Sequence, residues 1–352
     1  PYTPTIATAF KIALTPSIGN DTLKKETVNY SIFSFPVAST FTPAKGQAQR
    51  ITRAPKERLY QNYVAAGFGI FTSPLFEAYL HTGDPRHNDF GIFINHHSSQ
   101  GGIDDVLLDD NFSDTRIDGY YTQFDRDYSW QLNAGVQRQL YNYYGLAEDV
   151  VFDDVVLNDI EEKQIYKTFY AGGTVSFEDS FFKGATAELV SFTDHFGSSE
   201  FRLLSKPTIE FPISTELIGA DFMVDMVTGK FDQTYLNHEE FKYSYLNLGI
   251  SPSFEVLRDN LSVHLGAKLV YASDLERKTN NFYAYPNVDA SLKIIDDIFI
   301  LVAGATGELT QHTYRDLAGM NPFVSPTLDI QPTDQQYKAF IGIKGKLASN
   351  TG

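Results

Sequence analysis

Apolar and polar residues alternate strictly in long segments of this chain, and the alternation restricts its fold more than any other feature. In 261–272 the apolar positions are Leu261, Val263, Leu265, Ala267, Leu269 and Tyr271. The intervening positions, among them Ser262 and His264, are mostly polar, and 281–294 repeats the pattern. Such alternation is typical of β-strands with one apolar face. The sequence therefore predicts an all-β fold.

About 14 strands follow from this pattern. Their predicted spans are 62–70, 75–82, 88–98, 113–125, 128–144, 161–177, 181–193, 199–212, 216–232, 240–257, 260–273, 281–295, 297–312 and 335–348. One strand breaks the alternation, because Arg138 occupies a position where its neighbours Val136 and Leu140 are apolar. Most later spans reach the roughly 9–11 residues that a tilted strand needs to cross a bilayer.

Short and long connections alternate between these strands. Tight turns are predicted at 125–127, 178–180, 213–215, 258–260 and 295–297, and longer polar connections at 98–112, 145–159, 194–198, 233–239, 273–280 and 313–334. An up-and-down transmembrane barrel has short periplasmic turns and longer extracellular loops in this order. The alternative is a large soluble β-barrel or propeller, but propeller blades repeat about every 40–50 residues, and no such repeat is visible.

Composition narrows the function classes. A net charge of -16 argues against nucleic-acid binding, which needs a basic face. The absence of cysteine excludes disulfides, a thiol nucleophile and Cys-ligated metal. Aromatic residues make up 14% of the chain, although its mean hydropathy is only -0.23. Strands with one lipid face and one wet face account for both values.

Residues 1–60 differ from the barrel predicted for 61–352. They hold six of the 15 prolines, and proline interrupts regular elements. We interpret this segment as an extended N-terminal arm, periplasmic or luminal, with a disordered linker as the alternative. A basic stretch is predicted to dock at the periplasmic rim, through Arg50, Arg53, Lys56 and Arg58.

The polar face of the later strands is predicted to line the lumen. Its members are Tyr243, Tyr245, Asn247, His264, Lys268, Tyr283, Tyr285, Asn287, Asp289 and Lys293. Tyrosine stacks on sugar rings and also fills space, so these residues are compatible with either an open pore or a plugged barrel.

No catalytic or metal-binding pattern is evident in the sequence. The adjacent His96 and His97 would point to opposite faces of a strand and could not share a metal. Two acidic clusters, 104–114 and 149–159, lack the spacing of a calcium loop. We interpret them as solvated extracellular loops, with divalent ions bridging them to glycolipid as the alternative. The sequence predicts no enzyme, no cofactor and no metal site.

Two stretches resemble a known family. YTPTIATAFKI at the start, and PVASTFTPAKGQAQ followed by ERLYQNYVAAGFGIFTSPLFEAYLH, are similar to outer-membrane barrel proteins of Bacteroidota labelled TonB-dependent-receptor-like. The resemblance implies a barrel in the cell outer membrane. Only about 60 residues precede the predicted barrel, so the plug domain of true receptors is expected to be absent or reduced.

The leading functional hypothesis is a non-enzymatic outer-membrane barrel that is a subunit of a larger envelope complex for secretion, assembly or uptake. Its expected partners are outer-membrane lipid, lipopolysaccharide and other proteins, and no nucleic acid. The alternatives are a channel or transporter for nutrients with a small N-terminal hatch and, third, a barrel enzyme.

Overall fold

A computed structural model of the chain describes residues 31, 60–84, 86–146, 150–213, 216–234, 237, 239–295 and 298–346. The chain divides into two units, Pro1–Glu57 and Arg58–Gly352. All the helices and strands described in this article belong to the second unit. Residues 1–30 and 32–59, the predicted arm except for Ser31 and Tyr60, lie outside the described residues. No helix within the described part is long and apolar enough to span a membrane.

Fourteen strands and two short helices make up the described fold. The strands are β1 (Tyr63–Gly69), β2 (Ser73–Asp84), β3 (Asn88–Ser99), β4 (Phe112–Phe124), β5 (Tyr128–Asn142), β6 (Lys163–Phe177), β7 (Phe182–Thr193), β8 (Ser199–Ile213), β9 (Glu216–Phe231), β10 (Phe241–Leu257), β11 (Leu261–Asp274), β12 (Thr279–Ile295), β13 (Phe299–Thr310) and β14 (Thr333–Lys344). The helices are α1 (Asp154–Asp159) and α2 (Tyr314–Met320).

Each strand pairs antiparallel with the next one along the chain, in the order β1 to β14. The predicted all-β, up-and-down β-barrel fold and its 14 strands are confirmed. Among the described residues no pairing joins β1 to β14. The connections alternate as predicted, from the three residues 125–127 at one end to 311–332 at the other. The connection 275–278 is shorter than expected, because β11 and β12 continue to Asp274 and Thr279.

Exposure identifies the two faces of the sheet. On β10 the apolar Leu248 and Ile250 are 42% and 39% exposed, whereas Tyr243 and Asn247 on the opposite face are 3% and 1% exposed. A soluble sheet buries its apolar face, so this arrangement is inverted. It is the arrangement of a membrane barrel, whose apolar face contacts lipid. We call the face of Leu248 the outer face and that of Tyr243 the inner face.

Large tyrosines lie over glycines of the paired strand on the inner face. Tyr243 is opposite Gly229, and Tyr170 is opposite Gly135. A Cβ added to either glycine would overlap the tyrosine ring. Glycine therefore lets the ring lie flat against the sheet, which is a known way of packing aromatic residues on strands.

We expect Gly229→Ala to displace the Tyr243 ring and destabilise the barrel by about 1–3 kcal/mol, the usual cost of overpacking. The urea midpoint for unfolding from lipid vesicles measures this loss. Gly145→Ala is the control, because a Cβ there would meet nothing within 4 Å. Equal midpoints for the two variants would contradict this role of Gly229.

Candidate functional site on the inner face

The connection between β13 and β14, residues 311–332, folds onto the inner face, and we call it the inner loop. Its residues Tyr314, Ala318 and Ile330 are buried in one cluster with inner-face residues of β6, β7, β9 and β10. The strand members of that cluster are Tyr166, Phe192, Val227, Phe231, Tyr243 and Tyr245. The sequence predicted only a long polar connection here. The difference arises because aromatic residues of the inner face provide a surface on which the loop packs.

Helix α2 begins the buried part of the inner loop, and two acceptors satisfy its first backbone N–H groups. The Thr313 hydroxyl accepts from Asp316 N at 3.0 Å, which is an ordinary N-cap. The carboxylate of Glu200 on β8 accepts from Tyr314 N at 2.6 Å and from Arg315 N at 3.1 Å. The barrel wall thus supplies an anion to a helix end that favours negative charge.

Glu200 also joins the helix to the next part of the wall. Its Oε2 accepts a hydrogen bond from the Tyr243 hydroxyl at 2.7 Å. The residue is 5% exposed, and such burial of a carboxylate is tolerated when it accepts several hydrogen bonds. Glu200 is therefore the central link between strands β8 and β10 and the inner loop.

Tyr314 inserts its ring between aromatic residues of three strands. Its centroid lies 5.2 Å from that of Phe192, 4.9 Å from that of Phe231 and 6.2 Å from that of Tyr166, each with edge-to-face geometry. The hydroxyl donates to Asp194 at 2.9 Å. Burial, reinforced by the charge of Asp194, raises the pKa of the Tyr314 hydroxyl well above its usual range, so it stays a donor.

The second half of the inner loop is held by side chains of the wall and of two neighbouring connections. The hydroxyls of Tyr166 and Tyr143 donate to the backbone oxygens of Pro322 and Val324, at 2.9 and 3.1 Å. Near the end of the loop, Arg277 donates to Asp329 at 2.9 Å. The loop is thus fixed at both ends and in its middle, and it crosses the inner face from β13 as far as the end of β5.

A polar cavity of about 470 Å³ opens beside α2. It is lined by Gln137, Gln139, Thr168, Arg315 and Asp316 together with apolar side chains of the loop and β7. These groups include neutral, cationic and anionic hydrogen-bonding side chains. The arrangement can bind a small polar solute through hydrogen bonds, with apolar side chains along one side.

A second cavity, of about 340 Å³, lies on the inner face of β8 to β11 and β13. Its charged residues alternate in sign: Lys206, Asp221, Lys268 and Glu308. Lys268 and Glu308 lie 3.7 Å apart, and Thr208 donates to Asp221 at 2.7 Å. Asp221, Lys268 and Glu308 thus already have polar partners, which leaves a hydrated polar wall that contacts passing solutes weakly.

The residues predicted to line the lumen have the following positions. Tyr243, Tyr245, Asn247 and Tyr285 are buried, and Asn247 donates to Gln311 of the inner loop at 2.9 Å. Asn287 and His264 are 3.2 Å apart, and Tyr283 stacks on Tyr285. Lys268 pairs with Glu308, whereas Asp289 and Lys293 are exposed. The lumen-lining role stays a prediction.

The predicted docking residues Arg50, Arg53, Lys56 and Arg58 lie outside the described part of the chain.

The sequence did not single out Glu200, Arg202 or Tyr314. Arg202 donates from two nitrogens to Asp225, at 2.9 and 2.8 Å, and lies 3.8 Å from Asp316 of α2. Alternation in 199–212 does place Glu200 and Arg202 on the polar face of their strand. Their partners in α2, Tyr314 for Glu200 and Asp316 for Arg202, are more than 100 residues away along the chain. No local sequence pattern identifies these contacts.

The histidines and acidic clusters do not gather into a site in the described residues. His96 contacts Thr115 at 2.8 Å, while His97 packs edge-on against Phe112. No group of three or more histidine, aspartate and glutamate side chains suited to a metal occurs in the part of the chain described. The absence of a metal site, a cofactor and a catalytic site remains a prediction.

Comparison with solved structures supports the fold, whereas comparison with protein families and curated sequences finds no match. No protein-family model matches the chain, and no curated protein sequence matches it. The ferric enterobactin receptor PfeA of Pseudomonas aeruginosa is similar with a TM-score of 0.51 and 11% sequence identity, over 71% of this chain and 44% of PfeA. The siderophore receptor PirA of Acinetobacter baumannii is similar with a TM-score of 0.50 and 11% identity, over 70% of this chain and 42% of PirA. FpvAI, in its complex with pyocin S2, is similar with a TM-score of 0.52 and 13% identity, over 82% of this chain and 45% of the matched chain.

The chain spans less than half the length of these receptors. At such low identity the likeness establishes the fold alone. The described fold therefore resembles part of an outer-membrane receptor β-barrel, in agreement with the receptor-like barrel that the sequence resemblance implied.

We expect Glu200→Gln to loosen the start of α2, because the amide nitrogen of glutamine cannot accept the hydrogen bonds that one carboxylate oxygen accepts now. A hydrogen bond to a charged group contributes about 1.5–3 kcal/mol, so exchange of the Tyr314 and Arg315 amide hydrogens should accelerate roughly tenfold or more. Hydrogen-exchange mass spectrometry measures it. Glu188→Gln is the control, since that half-exposed carboxylate lies 3.8 Å from Arg315. Unchanged exchange in Glu200→Gln would contradict the anchoring role.

Proposed function

We propose that this protein is an outer-membrane barrel for nutrient uptake, in which the inner loop narrows the path along the inner face. The observation that carries the proposal is the path of residues 311–332. The loop crosses a polar, tyrosine-rich wall and leaves a polar cavity of about 470 Å³ beside α2. A barrel interior that contains such a loop admits small solutes and excludes large ones.

The structural likeness supports uptake better than the leading hypothesis from the sequence. PfeA is a ferric enterobactin receptor, and PirA is a siderophore receptor. The cell outer membrane as location follows from the same fold. Membership of a larger envelope complex, an origin in Bacteroidota and a reduced plug stay predictions. Stoichiometric partners in affinity isolation from native membranes would support the complex.

The side chains around the cavity indicate the class of solute. Gln137 and Gln139 offer neutral donors and acceptors, and Arg315 and Asp316 add one charge of each sign. Neither sign of charge dominates, so electrostatic selection of anions or cations is weak. We infer that the path favours small, polar, uncharged or zwitterionic nutrients.

We expect single-channel conductance in planar bilayers to rise severalfold when residues 314–329 are replaced by a short Gly-Ser linker. A short linker suffices because β13 and β14 are hydrogen-bonded neighbours, with a spacing of about 5 Å. The matched control shortens 151–159, which contains α1, because no residue of α1 is buried. That control should keep the conductance of the intact protein.

Deleting residues 1–45 in a separate variant distinguishes an N-terminal hatch from the inner loop. Conductance that rises only in this variant would assign control of the path to the N-terminal arm and contradict the role of the inner loop. If no variant conducts and vesicles take up no small polar solute, the uptake proposal is wrong.

A further inference from the structure

Arg138, which breaks the apolar pattern of its strand, belongs to a polar row on the outer face. Strand register places Arg138 opposite Lys167 of β6 on one side and opposite Thr115 of β4 on the other. Lys167 is in turn opposite Thr193 of β7. Residues opposite each other in a ladder point to the same face. Four neighbouring strands therefore present two cations between two hydroxyl groups, and both cations are exposed.

The two cations have no acidic partner in the described part of the chain. None of the ion pairs or side-chain hydrogen bonds found there involves Arg138 or Lys167. Like charges directly opposite each other on a sheet destabilise it. A bound anion between them would remove this repulsion and accept hydrogen bonds from both side chains.

A groove of about 370 Å³ lies over this pair. Its lining includes Arg138, Lys167, Thr115, Thr193 and Ser191, and the apolar Phe169 forms part of its floor. Two cations and three hydroxyl groups match the acceptor oxygens of a phosphate. The adjoining apolar surface suits a phosphate that is attached to acyl chains.

The height of the row on the barrel identifies the source of the phosphate. Arg138 lies near the end of β5 that leads into the long connection 143–162. At the other end of the apolar band the rings of Tyr128 and Phe177 lie 6.1 Å apart, as in an aromatic girdle. From Tyr128 to Arg138 the strand rises roughly 33 Å, or about 25 Å of depth at the usual tilt, which is the height of the apolar band of such barrels. The row thus lies at the level of the outer-leaflet headgroups.

We propose that Arg138 and Lys167 bind the phosphate of an anionic lipid of the outer leaflet, with Thr115, Ser191 and Thr193 as additional hydrogen-bond donors. This site is on the opposite face of the sheet from the inner loop. It depends on the membrane-barrel fold and not on the uptake proposal.

A second pair of opposed cations on the outer face provides the matched control. Lys230 of β9 is opposite Lys242 of β10. Unlike the first pair, these two lysines have two carboxylates in the protein: Glu240 lies 3.2 Å from Lys230 and 2.7 Å from Lys242, and Asp232 lies 3.1 Å from Lys230. Their charges are already balanced, so this pair should bind anionic lipid weakly.

The test measures binding of phosphorylated lipid A to the intact chain in detergent micelles. Arg138→Gln combined with Lys167→Gln should weaken binding roughly tenfold or more, since each basic residue near an anionic surface adds substantially to attraction. Lys230→Gln combined with Lys242→Gln should leave it unchanged. The charge-retaining exchange of Arg138→Lys with Lys167→Arg should keep most of the binding. If the double variant does not fold, the single Arg138→Gln and Lys167→Gln variants are measured in its place, and each should bind lipid A more weakly than the intact protein.

Two controls identify the chemistry that is recognised. Dephosphorylated lipid A should bind the intact protein as weakly as phosphorylated lipid A binds the double glutamine variant. Inorganic phosphate at the same concentration should compete poorly, because it lacks acyl chains. Equal binding by the intact protein and the glutamine variants would overturn the proposal, as would inorganic phosphate that binds as tightly as the lipid.

Discussion

The hydrogen-bonded ladder between successive strands is the constraint on which the rest of this structure depends. Backbone N–H and C=O groups that cross hydrocarbon must bond within the protein, because no water is present there. Thirteen consecutive antiparallel pairings, from β1 with β2 to β13 with β14, meet this need for every strand between the two edge strands β1 and β14. Since the ladder fixes a period of two, every strand must present one face to lipid and one inward. The exposed Leu248 and the buried Tyr243 on β10 follow from that single requirement.

The inner face carries polar side chains that also need hydrogen-bond partners, and the inner loop provides many of these partners. Glu200 would be a buried, unpaired carboxylate without the N–H groups of α2 and the Tyr243 hydroxyl. Conversely, α2 has only seven residues and would be unstable alone. Wall and loop therefore stabilise each other, and the aromatic rings around Tyr314 add apolar burial at the same place. This mutual dependence explains how a loop between two neighbouring strands reaches the far part of the wall.

The strands were predictable from sequence because alternation is a local signal. The predicted span 216–232 differs from β9 by one residue, and the tight turn predicted at 258–260 is observed between β10 and β11. The inner loop was not predictable in the same way. Its segment contains Pro322, Pro326 and Pro332, a composition that indicates an irregular connection. Its one helix, α2, is too short to produce a recognisable apolar periodicity. Its contact with Glu200 joins residues more than 100 positions apart, and neither segment carries a pattern that points to the other.

Arg138 shows how a broken pattern becomes informative once the register is known. In the sequence it is only a cation at an apolar position, and Lys167 lies 29 residues further along. The register places the two side by side on the outer face, whereas Gln137 and Gln139, its direct neighbours, line the cavity on the inner face. Adjacent residues of β5 therefore serve opposite surfaces separated by the sheet. Effects of substitutions on the two faces should be close to additive, because the side chains share no partner. Lipid contact and solute passage are then separate properties of the same strand.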